Sequence, residues 1–177
     1  THSLSPTLHR AAYRDLGLPW SYEAIEMDVP SLGPFVGSLD ATWRGLSLTM
    51  LLKDEAARLA THRSPTVDVT GVANTLVIGS GRIEAHNTDV AGLRAALGER
   101  GVGRVSRASV IGSGSTAVSA LAALASLTTT VAVVARSADR ARRAMEAACR
   151  VGLDCRYVAW EAAAPELAAP VVVSTTP

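Results

Sequence analysis

A short apolar run, Val110-Ile111, leads straight into Gly112-Ser113-Gly114-Ser115-Thr116-Ala117, and an alanine-rich stretch follows at once. Few folds accommodate that order. A strand ending in glycine, any residue, glycine, two residues and alanine predicts a tight turn that opens a helix, the setting of a dinucleotide-binding loop. Gly112 makes the turn. Gly114 has no Cβ, so its backbone can approach a pyrophosphate. Ala117 keeps the helix close to the sheet. Ser115, Thr116 and Ala117 supply free N–H groups at the helix start, where the helix dipole adds to the attraction for phosphate oxygens. The same short pattern also occurs in ordinary strand–helix turns, so this loop alone leaves both readings open.

The next segment favours the cofactor. Val131-Ala132-Val133-Val134-Ala135 reads as a buried parallel strand, short and rich in valine. It ends at Arg136-Ser137, with Arg140 one turn later. An NAD-binding unit carries Asp or Glu about 20 residues past the first glycine, to hold the ribose 2′-hydroxyl. Arg136 stands there instead. Its guanidinium fork matches a phosphate, so the sequence favours NADP over NAD. Two alternatives stay open: Arg136 as a solvated residue at a strand end, and Asp139 as a displaced ribose acid.

Alternating strands and helices place the chain in the α/β class. Strands are predicted over 107–111, 131–135, 155–158 and 171–174, with helices over 115–127 and 138–151 and a short helix near 161–167. That is most of a doubly wound nucleotide-binding sheet. Before it, Ser5 caps a helix that Gly17 closes. A strand is expected over 22–29, with Ile25, Met27 and Val29 on one face. A short helix near 32–39, a strand over 45–49 and a helix over 52–60 come next. Gly79-Ser80-Gly81-Arg82 joins a hairpin of 74–78 and 83–87. Thr88 or Asp89 then caps a bridging helix. The division expected is a first domain over 1–88, a connecting helix and linker over 89–103, and a nucleotide-binding domain over 104–177. Both ends read as cut: no strand precedes the first helix, and the chain stops directly after the fourth strand of a partial nucleotide-binding sheet.

Composition narrows the partners. The 177 residues carry a net charge of +1, with 19% charged and 48% hydrophobic residues, an ordinary globular balance without the basic excess of a nucleic-acid binder. No apolar run reaches the length of a membrane span. Cys149 and Cys155 form no Cys-x-x-Cys and lie near no histidine cluster, so no metal site is expected and a cytoplasmic location fits.

Several polar residues beside apolar runs have structural explanations when taken singly. Lys53 reads as a solvated lysine, Asp89 as a helix cap, and Asn74 as a hairpin residue. Taken together they fall into a known order. Ser3-Leu4-Ser5-Pro6-Thr7-Leu8-His9 resembles the Ser-x-Ser-Pro-x-x-His signature of shikimate dehydrogenases. Residues 45–53, Gly-Leu-Ser-Leu-Thr-Met-Leu-Leu-Lys, resemble their Gly-x-(Asn/Ser)-Val-Thr-x-Pro-x-Lys segment. Gly71-Val72-Ala73-Asn74-Thr75 is similar to their Gly-Ala-x-Asn-Thr, and Asn87-Thr88-Asp89 with Gly92 to their Asn-Thr-Asp-x-x-Gly.

This resemblance implies an N-terminal substrate-binding α/β domain and a C-terminal Rossmann-like NADP-binding domain. It implies NADPH-dependent reduction of 3-dehydroshikimate to shikimate, in the route to aromatic amino acids. Ser3 and Ser5 would bind the substrate carboxylate; Thr49, Asn74, Asp89 and Lys53 would bind the ring hydroxyls. Lys53 and Asp89 would be the catalytic pair. Gly112, Gly114, Ser115, Thr116 and Ala117 would form the cofactor loop. Arg136, Ser137 and Arg140 would hold the 2′-phosphate, and Thr175 would lie near the nicotinamide. The partner expected is the small-molecule substrate, with no nucleic acid or membrane, in a monomer or homodimer. The chain departs from the family pattern at Leu51 (usually proline), at Ser115 (usually glycine) and at Ala135 (usually asparagine). An NAD-dependent quinate/shikimate dehydrogenase and a non-catalytic metabolite-binding relative are the alternative expectations.

Overall fold

The computed structural model of the chain describes residues 4–79 and 81–176. They form two four-stranded sheets joined by helices. The N-terminal part opens with helices α1 (Ser5–Asp15) and α2 (Val29–Ser38). The first sheet follows: β1 (Gly45–Ser47), helix α3 (Leu52–Leu59), β2 (His62–Arg63), helix α4 (Pro65–Thr70), β3 (Thr75–Gly79) and β4 (Arg82–His86). Its spatial order is β1-β3-β4-β2, antiparallel except for the β2–β4 pair. Helix α5 (Thr88–Glu99) leads to the second sheet.

That sheet is wholly parallel. Strands β5 (Ala108–Ile111), β6 (Thr130–Ala135), β7 (Asp154–Ala159) and β8 (Val171–Ser174) lie in the order β7-β6-β5-β8. Val131 through Ala135 are all buried: Val131, Val133 and Ala135 join the main core with Val110, and Ala132 and Val134 form a smaller cluster with Val158 on the other face. Helix α6 (Ser115–Leu124) buries every residue from Ala117 to Leu124. Its alanines let it sit between the sheet and α5. Helix α7 (Ala138–Arg150) buries Ala141, Ala144, Ala147 and Ala148, one stripe at helical spacing, and leaves Arg140, Arg142 and Arg150 exposed and Arg143 half-buried.

From β5 the sheet grows in both directions, to β6 on one side and β8 on the other. In open α/β sheets, ligands are taken at the carboxyl ends of the strands beside such a reversal. Gly112 begins the loop at that point.

The structure corrects several expectations. Residues 18–28 form no helix and join no sheet, so the strand expected over 22–29 is not made, and Ile25 stays exposed. The chain enters α2 instead through Asp28, whose side chain accepts from the Ser31 N–H at 3.1 Å. Ser5 is the first residue of α1 and not its cap; Leu4 holds that position in helical backbone, without a side-chain bond. Asn87, not Thr88 or Asp89, caps α5. The helix expected near 161–167 is two short 3-10 turns, Trp160–Ala162 and Ala164–Ala168, the second opened by Pro165. The two-residue β2 and the short α4 are additions that the apolar pattern was too brief to mark.

Candidate active site

Lys53 stands in the first turn of α3 with only 10% of its side chain exposed. A lysine is rarely buried without a partner. Here Nζ donates to Asp89 Oδ2 at 2.7 Å. The other carboxylate oxygen, Oδ1, accepts from Asn74 Nδ2 at 2.8 Å. Asn74 is itself fixed: its Oδ1 accepts from the Thr88 N–H at 3.0 Å and from Thr75 Oγ1 at 3.0 Å. These bonds define which end of the amide faces Asp89.

The backbone holds these three residues together. The Ala73 N–H donates to the Lys53 carbonyl at 2.9 Å, and the Leu48 N–H to the Asn74 carbonyl at 2.8 Å. Between them Met50 turns the chain at φ 50°, the one non-glycine residue with positive φ among those described. Asn87 accepts the Asp89 N–H at 3.2 Å and so sets the start of α5. Three distant segments thus present an ammonium, a carboxylate and an amide at one place. An ammonium held this way can hydrogen-bond an oxygen that gains charge, and can give it a proton.

The other predicted substrate residues are less gathered. Thr49 lies exposed in the turn before α3, and its carbonyl accepts the Leu52 N–H at 3.2 Å. Ser5 is half-buried at the start of α1, where its carbonyl bonds His9 Nδ1 at 2.9 Å. Ser3 lies outside the described residues.

On the second sheet, Gly112 has φ 117° and packs against Thr175. Thr175 is bonded to the same loop, with its N–H 2.8 Å and its Oγ1 3.0 Å from the Ile111 carbonyl. Gly114 is the N-cap of α6, no side chain caps that helix, and the space where a Gly114 Cβ would stand is open. A pyrophosphate fits such an end, with bare N–H groups and room above them. Arg136 and Arg140 are exposed at the carboxyl end of β6 and the start of α7. Ser137 caps α7 by accepting the Arg140 N–H at 3.3 Å; its hydroxyl hydrogen is still able to donate. Asp139 pairs with Arg142, which draws the displaced-acid candidate into a local ion pair. Two shallow surface depressions, one beside Ala11 and Asp15 and one beside Met145 and Cys149, contain none of the predicted site residues.

Contacts between the two parts add residues that the sequence reading passed over. Asp54, next to Lys53, takes both terminal nitrogens of Arg143 on α7, which raises the arginine pKa above its ordinary value. Ser115 Oγ reaches Asp54 Oδ1 at a long 3.4 Å. Asn87 Nδ2 donates to Ser119 Oγ at 3.0 Å, inside the junction. Asn87 belongs to a motif noted in the sequence; Asp54, Arg143 and Ser119 carried no signal there.

Comparison with known proteins bears on the whole chain. A family profile described as the shikimate dehydrogenase substrate binding domain matches residues 1–76. A crystal structure of Mycobacterium tuberculosis shikimate dehydrogenase superposes with a TM-score of 0.88 at 43% identity, covering 100% of this chain and 68% of that one. The Thermus thermophilus shikimate 5-dehydrogenase in complex with NADP(H) and shikimate gives 0.82 at 32% identity, covering 99% of this chain and 64% of that one. A curated relative from Ignicoccus hospitalis, shikimate dehydrogenase (NADP(+)), is 32% identical over 116 residues, 66% of this chain and 44% of its own length. The chain therefore matches less than half the length of that relative. Among the described residues, no helix is long and apolar enough to cross a membrane.

Proposed function

Since this chain belongs to the shikimate dehydrogenase family, we propose that the whole protein reduces 3-dehydroshikimate to shikimate with NADPH. The observation that carries this reading is the 2.7 Å bond between Lys53 and Asp89, with Asn74 on the second carboxylate oxygen.

When bound, NADPH supplies the hydride. The carbonyl oxygen of the substrate then gains negative charge. Lys53 donates a hydrogen bond to that oxygen and passes it a proton. Asp89 keeps the ammonium in place, and Asn74 keeps Asp89 from rotating. Ser3 and Ser5 take the substrate carboxylate through their hydroxyls, and Thr49 takes a ring hydroxyl.

Gly112, Gly114, Ser115, Thr116 and Ala117 hold the pyrophosphate in this reading. Arg136 and Arg140 hold the 2′-phosphate with help from Ser137, and Thr175 flanks the nicotinamide. The engagement of Asp139 by Arg142 supports NADP over NAD, because it removes a free carboxylate from the approach of a phosphate. The free thiols Cys149 and Cys155 fit a reducing, cytoplasmic compartment. A monomer or homodimer completes the reading.

The test is shikimate oxidation by the whole protein with NADP+ or NAD+, alongside Lys53→Ala. Turnover should prefer NADP+. The substitution should lower kcat by about 10²- to 10⁴-fold, the usual contribution of a positioned acid or base, while NADPH affinity holds. Wild-type protein that binds NADPH but never oxidises shikimate would overturn the proposal.

A further inference from the structure

Lys53 and Asp54 are consecutive in a helix, so their side chains point to different neighbours. Lys53 turns toward Asp89 in its own part of the molecule. Asp54 turns toward the second sheet and receives both terminal nitrogens of Arg143 from α7. Two parallel N–H donors on one carboxylate fix an orientation as well as a distance.

Arg143 makes a third bond, from Nη2 to the Gly71 carbonyl at 3.3 Å. Seven residues later on the same face of α7, Arg150 Nε donates to the Val69 carbonyl at 2.9 Å. Helix α7 therefore lies along the end of α4. Val72, two residues before Asn74, is fully buried in the core of the second sheet. The flanking residue Ala73 donates to the Lys53 carbonyl. Any shift of α7 relative to the first sheet thus pulls on both Asp54 and the segment stitched to Lys53. Ser115, which opens α6, meets the same Asp54 carboxylate.

We propose that Arg143 is a positioning residue: acting through Asp54, it fixes the first turn of α3, and with it Lys53, against the start of α6. This rests on the dehydrogenase reading, in which α6 begins at the cofactor. The ion pair is 42% exposed on each side, and such a pair adds little to stability. Its effect is geometric. A cofactor seated on α6 is then sensed at Lys53, and small misplacements of a reacting group cost rate steeply.

The whole protein supplies the test, with Arg143→Ala, Arg143→Lys, Asp54→Asn and the charge-exchanged pair Asp54→Arg with Arg143→Asp. Hydrogen exchange is followed with and without NADP+, and kcat and KM are measured separately. In the wild type, NADP+ should slow exchange over residues 112–120 and also over 50–56. Arg143→Ala should keep the first protection and lose the second. Its kcat should fall roughly tenfold while KM for NADP+ moves less than about twofold. Arg143→Lys keeps the charge without the fork and should fall between; the exchanged pair should recover part of the lost kcat. Should Arg143→Ala fail to fold, Asp54→Asn carries the same comparison. Undiminished protection of 50–56 in a folded variant, or an unchanged kcat, would overturn the proposal. Wild-type protein that binds NADP+ without oxidising shikimate would refute the dehydrogenase reading, and the exchange comparison would still decide the role of Arg143.

Discussion

A Cβ placed on Gly112 would lie 2.3 Å from Thr175 Oγ1, which is itself 3.0 Å from the Ile111 carbonyl. The loop and the end of β8 are therefore in contact with no room for a side chain between them. Gly112 also has φ 117°, a backbone region that other residues enter only under strain. Gly112→Ala should cost about 2–4 kcal/mol in urea denaturation, part of it steric and part of it backbone strain. The same substitution in a Thr175→Ala background should cost less, because the hydroxyl is gone while the backbone penalty remains. Equal costs in both backgrounds would show that Thr175 is not the obstacle.

The Lys53–Asp89 pair is asymmetric. Lys53 has 10% of its side chain exposed and Asp89 has 30%. Asp89→Asn leaves an ammonium buried beside a neutral amide. Lys53→Met leaves a carboxylate that still has Asn74 and access to water. Removing one partner of a fully buried pair costs about 3–5 kcal/mol, and partial exposure reduces that. The expected loss is about 2 kcal/mol for Asp89→Asn and about 1 kcal/mol or less for Lys53→Met. Asp89 also stands in the first turn of α5, where an anion is favoured, which adds to the difference. Chemical denaturation of both variants checks the order; the reverse order would contradict this account of the pair.

The parallel sheet was readable because its physics is local. A strand covered on both faces must be apolar throughout, and 131–135 is. The glycine loop carries its turn in its own residues. The antiparallel sheet was harder. His62-Arg63 is too short and polar to announce a strand, yet it pairs with Glu84-Ala85 because β4 offers an open edge. The segment over 22–29 has strand alternation but pairs with no strand. Alternation states which faces a strand would bury, and says nothing of whether a neighbour exists. Lys53, Asn74 and Asp89 were legible through an ordered resemblance. The pairing of Asp54 with Arg143 spans 89 positions and leaves no periodic trace.

Asn87 links the two sheets from a buried position. Its Nδ2 donates to Ser119 Oγ at 3.0 Å and to Thr70 Oγ1 at 3.3 Å, and its Oδ1 caps α5. Asn87→Ala removes the cap and leaves buried hydroxyls short of a partner, so a loss of about 2–3 kcal/mol is expected. Ser119→Ala should cost about 1 kcal/mol. Combined, the two substitutions should cost at least about 0.5 kcal/mol less than their sum, since both delete the same bond. Strict additivity in a double-mutant cycle would mean that the bond across the junction contributes nothing.

Cys155 sets an alkaline limit on stability. Burial pushes its thiol up to about 11, with smaller repulsions from Cys149 and Asp154. In the unfolded chain a cysteine ionises near about 8.5. Between these values the unfolded chain has lost a proton that the folded chain keeps. The unfolded state therefore binds fewer protons, and the free energy of unfolding falls as pH rises. The stabilisation is complete below the unfolded pKa and is lost as pH climbs through about 11. Cys155→Ala should flatten the decline above about pH 8.5 without removing declines from other groups. In the native protein, Cys149 is exposed and Cys155 is half-buried, so a disulfide-exchange reagent at pH 8 should modify one thiol rapidly and the other slowly. Substituting Cys149 should abolish the fast phase. Loss of the slow phase instead would mean that Cys155 is the accessible thiol, and its alkaline effect on stability would fall with it.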